Sequence, residues 1–216
     1  MARTVTAALL TALTLIASVP ARAASVANGS FEADVRAADT FCISFAAPSC
    51  GTVTGWTGEL YLVNGKPQPI TPPTPLPDGV QFAMVQSNSV MDQAVTIDVA
   101  GSYELSWSDA GRAAFIGAAG NESYTVSFGG TLLGSFSTTT GSAWASHSVV
   151  FSSGTGVFTL EIAGTTTFSQ GDNSVLLDDF VLRPATVPEP GTLALACAGL
   201  AILACRRGSA HRRSGR

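Results

Sequence analysis

Histidine is scarce in this 216-residue sequence, with only His147 and His211. His147 alone lies in the central part, so a zinc site built on several histidines is excluded there, and a Ser-His-Asp triad would rest on one residue. No Gly-x-Ser-x-Gly elbow occurs, and no Gly-Lys-Ser or Gly-x-Gly-x-x-Gly phosphate cradle. Basic residues are just as thin in the middle: between residues 24 and 186 there are Arg36, Lys66, Arg112 and Arg183 against 14 acids, a net charge of about −10. Nucleic acid is excluded as a partner, because a polyanion needs a basic surface that releases its counterions. Helical periodicity is nearly absent over the same stretch, and there is no internal repeat.

The two ends differ from the middle. Arg3, the apolar run Val5 to Val19 and the small-x-small triplet Ala21-Arg22-Ala23 stand in the order of a secretory signal peptide cleaved after Ala23. This reading makes signal peptidase a partner and sets residues 1–23 outside the fold. At the far end Val187-Pro188-Glu189-Pro190 precedes an uncharged run from Thr192 to Cys205, then Arg206 and Arg207 and further arginines. Those 14 residues rise about 21 Å as a helix, short of the roughly 30 Å hydrocarbon core. Local thinning and snorkelling arginines can cover the deficit, and the arginines form a positive flank that stays cytoplasmic. A C-terminal transmembrane helix is the expectation.

The ordered triple of Pro-Glu-Pro, short apolar helix and Arg cluster resembles the PEP-CTERM sorting signal of Gram-negative bacteria that make exopolysaccharide. The resemblance covers residues 187–216. It implies processing by exosortase, an integral-membrane cysteine protease, near Val187, Pro188, Glu189 and Pro190. The precursor would be anchored in the inner membrane and then pass to the cell surface or matrix. The tail from Gly208 to Arg216 is longer than is usual in that family.

Between the ends, residues 24–186 are one domain's worth of chain. Alternation is common there: Tyr103, Leu105 and Trp107 share a face, as do Val95, Ile97 and Val99; Tyr124, Val126 and Phe128; and Phe158, Leu160 and Ile162. Further strands are predicted over Trp56–Val63, Val80–Gln86, Thr131–Phe136, Ser146–Phe151 and Ser174–Arg183. Ten short strands with Gly-rich turns predict an all-β, antiparallel sandwich. Six prolines between Asn64 and Gly79 exclude a strand there and predict a stiff surface loop. Cys42 and Cys50, in an exported domain, are expected to form a disulfide.

Asn28-Gly29-Ser30-Phe31-Glu32 and Leu177-Asp178-Asp179-Phe180-Val181-Leu182 resemble the paired terminal strands of galactose-binding-like jelly rolls, a group that includes many carbohydrate-binding modules. The resemblance implies a structural calcium joining the first and last strands, with Glu32 and Asp178 as ligands and Asp179 a less favoured one. An acid in an apolar strand independently asks for a cation, Arg183, Arg112 or backbone amides beside it. It also implies binding of exopolysaccharide or another glycan, for which Trp56, Tyr61, Trp107 and Trp144 are candidate stacking residues. Each of these aromatics reads more readily as core than as platform, Trp107 most of all. The function expected is a non-catalytic, surface or matrix protein. The alternatives are a structural or adhesion component without a pocket, and a polysaccharide hydrolase using two of the acids.

Overall fold

The computed structural model describes residues 24–113, 120–167 and 173–185. The expected signal peptide (1–23) and the sorting segment with Val187, Pro188, Glu189, Pro190, Thr192 to Cys205, Arg206 and Arg207 lie outside the described residues.

Among the described residues eleven strands form two antiparallel sheets. They are β1 (Thr40–Ile43), β2 (Thr57–Gly58), β3 (Tyr61–Asn64), β4 (Gln81–Gln86), β5 (Val90–Ile97) and β6 (Gly101–Gly111), followed by β7 (Glu122–Phe128), β8 (Thr131–Thr138), β9 (Ala145–Ser153), β10 (Gly156–Gly164) and β11 (Ser174–Pro184). One sheet has the order β1-β3-β4-β11-β6-β9, the other β2-β5-β10-β7-β8. The non-consecutive neighbours make this a jelly-roll sandwich, as expected.

The core follows from the alternation. Tyr103, Leu105 and Trp107 of β6 face Tyr124 and Val126 of β7 and Leu160 and Ile162 of β10, all buried between the sheets. The alternating set in β5 ends sooner than the sequence suggests: the strand stops at Ile97, and Val99 is exposed in the turn beyond it. The single strand expected over Trp56–Val63 is two, because Gly58 at φ 90° turns the chain out of β2. The disulfide Cys42–Cys50 is present and clamps β1 to the loop that follows it.

Two expectations are corrected. Residues 28–32 are not a strand: Asn28 (φ 49°) and Phe31 (φ 61°) are left-handed, which breaks extension. The segment is instead a turn that drops Phe31 into the core, stacked on Trp56 at 5.4 Å and edge-on to Phe180 at 6.3 Å. One backbone bond, Phe180 N–H to Gly29 O at 3.0 Å, remains of the expected pairing. A Cβ on Gly29 would come within 2.0 Å of Phe180 O, so only glycine fits. The proline-rich stretch is the second correction. It does not stand off as a connector but folds onto the outer face of the six-stranded sheet. There Ile70 is buried with Val63, Phe82, Met84, Ala110 and Leu176, and Leu76 packs beside them. The outward residues Phe82 and Met84 of β4, Ala110 of β6 and Leu176 of β11 are apolar, and burying them is worth about 25 cal/mol per Å².

Candidate functional site

The chain termini of the domain and the end of the proline-rich flap meet at one acidic corner. In β11 the register slips between Asp178 and Val181, a bulge in which Asp179 takes φ 55°. The bulge turns Phe180 into the core and leaves Asp178 on the outer face, opposite Ser108 of β6 and fully buried. Asp178 Oδ2 accepts Asp78 N–H at 3.1 Å and Oδ1 accepts Asp179 N–H at 2.7 Å. Glu32 Oε1 accepts the N–H groups of Val80 and Gln81, each at 2.6 Å. The two residues expected to be metal ligands thus grip the same segment, 78–81, from two sides. Gly79 lies between them at φ 54°, where a Cβ would strike Glu32 Oε1 at 2.2 Å.

The corner gathers Asp78, Asp178 and Asp179. Burial, joined by the charges of Asp179 and Asp78, pushes Asp178 up to about 7, against the lowering effect of its two amide bonds. Burial and the Asp78 charge also hold Asp179 above the usual carboxylate range. Of the cationic partners considered from sequence, Arg183 pairs with Glu104 at 2.9 Å and Arg112 donates to Pro69 O at 3.4 Å. Hard carboxylate oxygens crowded in this way fit a divalent cation such as calcium. Among the described residues, no three His, Cys, Asp or Glu side chains are arranged as a ready cage. A cation here would draw its remaining ligands from backbone carbonyls and water.

Beside Ser108, a cleft of about 340 Å³ opens between the flap and the strands β6 and β9. Pro73 to Pro77 form one wall; Ser108, Trp144 and Ser146 form the other. Trp144 is half-buried, edge-on to Phe82 at 6.0 Å, and its Nε1–H donates to Pro73 O at 2.9 Å. The remaining candidate aromatics are accounted for differently. Trp56 is buried, with Nε1–H donating to Asn28 O at 3.0 Å, and Trp107 is buried at the centre of the sandwich. Tyr61 is half-buried on the outer face near exposed Phe45 and donates its hydroxyl to Gln86 Oε1 at 2.8 Å. Two of the four candidates therefore belong to the core, Trp107 as its alternation suggests, and Trp144 lines the cleft.

A polar chain that the sequence did not reveal runs through the sandwich. Trp107 Nε1–H donates to Tyr124 OH at 2.9 Å, Tyr124 OH donates to Asp109 Oδ2 at 2.7 Å, and His147 Nε2 lies 2.9 Å from Asp109 Oδ1. Burial and the Asp109 charge hold the Tyr124 phenol well above its ordinary value, so it remains a donor. The imidazole of His147 stacks on Trp107 at 5.3 Å. Its strand neighbours Ser146 and Ser148 point to the opposite face. His147, the one histidine among the described residues, thus sits against a buried acid and packs on an indole.

Residues 186–208 match the family model described as the PEP-CTERM protein-sorting motif. That motif marks an exported, membrane-anchored precursor sorted to the cell surface, and a substrate of exosortase. No curated protein matches the chain. Among solved structures, the apo form of a cyclase from Fischerella sp. is 15% identical, with 77% of this chain and 98% of that one covered and a TM-score of 0.56. The Stig cyclase Fisc from Fischerella sp. TAU, solved with a pyrrolidinylidene-indole, is 17% identical over 76% and 99%, with a TM-score of 0.53. A carbohydrate-binding module of Cellvibrio mixtus lichenase 5A, in complex with cellotriose, is 14% identical over 69% and 99%, with a TM-score of 0.37. At these identities the two cyclases share the sandwich fold with this chain.

Proposed function

We propose that this chain is a non-catalytic surface or matrix protein of a Gram-negative bacterium whose sandwich binds exopolysaccharide or another glycan in the cleft beside Trp144. The observation that carries the reading is the cleft itself. A half-buried indole, a rigid proline wall and the hydroxyls of Ser108 and Ser146 combine an apolar surface for a sugar face with polar groups for its hydroxyls. The sorting motif supplies the context, since it delivers the domain to where such polymers are.

The test is titration of the mature protein against the host's polysaccharides and a glycan array. Trp144→Ala and Ser146→Arg, the second filling the cleft from an exposed position, should each weaken binding about tenfold or more. Wild-type protein that binds no polysaccharide overturns the reading and favours the alternative, a structural or adhesion component. Release of shortened sugar chains in the same assay would point to the hydrolase instead.

Calcium at the acidic corner belongs to the same proposal. Asp178 and Glu32 would hold it, backbone carbonyls and water would complete its shell, and the cation would fix the flap to β11. The burial that raises Asp178, joined by the charges of Asp179 and Asp78, supports this. A melting curve should shift down on adding chelator and recover with calcium, and Asp178→Ala should abolish the difference. Processing is tested by Glu189→Ala, which should leave an unprocessed, membrane-retained precursor.

A further inference from the structure

Four strands end the two sheets, and they differ in length and in guard. On one side the edges are β1 and β2, of 4 and 2 residues. On the other they are β8 and β9, of 8 and 9 residues, with Phe136 of β8 edge-on to His147 of β9 at 5.0 Å across the sandwich. β9 pairs only with β6, and β8 only with β7.

Edge strands of monomers are normally blunted by a charge, a proline, a bulge or brevity, because a free row of N–H and C=O groups templates another strand. Among the described residues none of these guards β9. From Ser123 to Leu160 the sequence has no Asp, Glu, Lys, Arg or Pro, and His147 is its only titratable side chain apart from Tyr124. The nine residues of β9 run opposite β6 with no slip in register, whereas the β7–β8 pair is irregular between Val126 and Ser127. The outward side chains of β9 are Ser146, Ser148, Val150 and Ser152; these are small, exposed and neutral, and Val150 is 61% exposed.

From these observations we infer that β9 is a self-docking edge: two copies of this chain pair antiparallel through β9, joining their six-stranded sheets into one continuous sheet. The charge distribution names a second copy as the occupant. With about 14 acids against 4 bases over residues 24–186, two copies repel across most of their surfaces. Strands β8 and β9 carry no such charge, and Glu104, opposite Val150 on β6, is paired with Arg183, so this is where like molecules can approach, and a two-fold axis makes the strand its own complement. The edge and the cleft beside Trp144 are separate features, with Ser146 bordering both.

The experiment is sedimentation velocity on the mature protein over micromolar to submillimolar concentrations. The expected result is a reversible, concentration-dependent dimer for the wild type and a monomer for Ser148→Lys and Val150→Lys. These variants place a charge on the exposed face and should leave the far-UV dichroism and melting temperature unchanged. Ser135→Lys, on the exposed face of β8, should dimerise as the wild type does. A wild type that stays monomeric throughout overturns the inference. So does a dimer or larger assembly that survives Ser148→Lys, or one that Ser135→Lys abolishes while Ser148→Lys does not.

Discussion

The six-stranded sheet has an apolar inner face and an apolar patch on its outer face around Val63, Phe82, Met84 and Leu176, and the two are buried by different means. Its inner face meets a second sheet, so strand packs on strand with aromatic rings such as Trp107 and Phe180, stacked at 6.2 Å, filling the gap. Its outer face meets a flap without regular structure, which contributes Ile70 and Leu76 and is held at its end by acids, through the Asp78 amide to Asp178 and the Val80 and Gln81 amides to Glu32. The inner face is held by hydrophobic area and cannot relax without opening the sandwich. The outer one is held by a small cluster and a few charge-assisted amide bonds, so it can loosen locally while the sandwich stays closed. Stability belongs to the first and, on the proposed reading, recognition to the second.

The contrast breaks if the inner face proves tolerant. Leu160→Ala, fully buried in β10, should cost about 3–5 kcal/mol in urea unfolding, since the sheets on either side cannot collapse into the void. The next effect separates the two faces by pH. Asp178 is pushed up to about 7 in the folded chain and returns to about 3.8 on unfolding, so between these values the folded state holds the extra proton. Its stabilising effect is full below pH 4 and is lost as pH rises through 7, by at most on the order of 4 kcal/mol at 1.36 kcal/mol per unit. Melting in chelator should therefore show stability contributed by Asp178 falling from pH 4 to 7, and Asp178→Asn should flatten that slope. With calcium present the slope should reverse, because the cation requires the ionised form. The disulfide comes next. β1 sends Cys42 inward and Phe41 outward, and reduction should lower stability by about 2–3 kcal/mol, the closure entropy of its short loop.

The sequence made the inner face legible and hid the outer one, for a physical reason. Period-2 alternation records that one side of a strand is buried, and Tyr103, Leu105 and Trp107 obey it. The segment Gln81-Phe82-Ala83-Met84-Val85 is buried on both sides, so it has no alternation to read, and nothing in it says that the second cover is a loop. Six prolines argued for exposure, yet the signal that they did not stand alone was Ile70 and Leu76 among them. Glu32 and Asp178 were found through the resemblance of the domain's two ends, and they do meet at one segment. The strand pairing attached to them failed because left-handed Asn28 and Phe31 are conformational choices made by the packing of Phe31 against Trp56 and Phe180. The Asp109–Tyr124–Trp107 chain could not be read at all, since Trp107 and Asp109 stand on β6 and Tyr124 on β7 of the other sheet, and only the closing of the sandwich brings them together.

The smallest effect is the one that discriminates most. Ile70→Ala removes the residue by which the flap is anchored among Val63, Phe82, Met84, Ala110 and Leu176. Because the flap has no strand partner to hold it in place, it can settle partly into the space, and the cost should lie near the low end for such truncations, about 2 kcal/mol. The location of the damage matters more than its size. Hydrogen exchange should quicken at Asp78, Val80 and Gln81, whose amides are held by Asp178 and Glu32, while the amides of β7 and β10 keep the protection of the wild type. If Ile70→Ala instead accelerates exchange equally in β7 and β10, the two faces unfold as one unit, and the flap is simply a third layer of a single core.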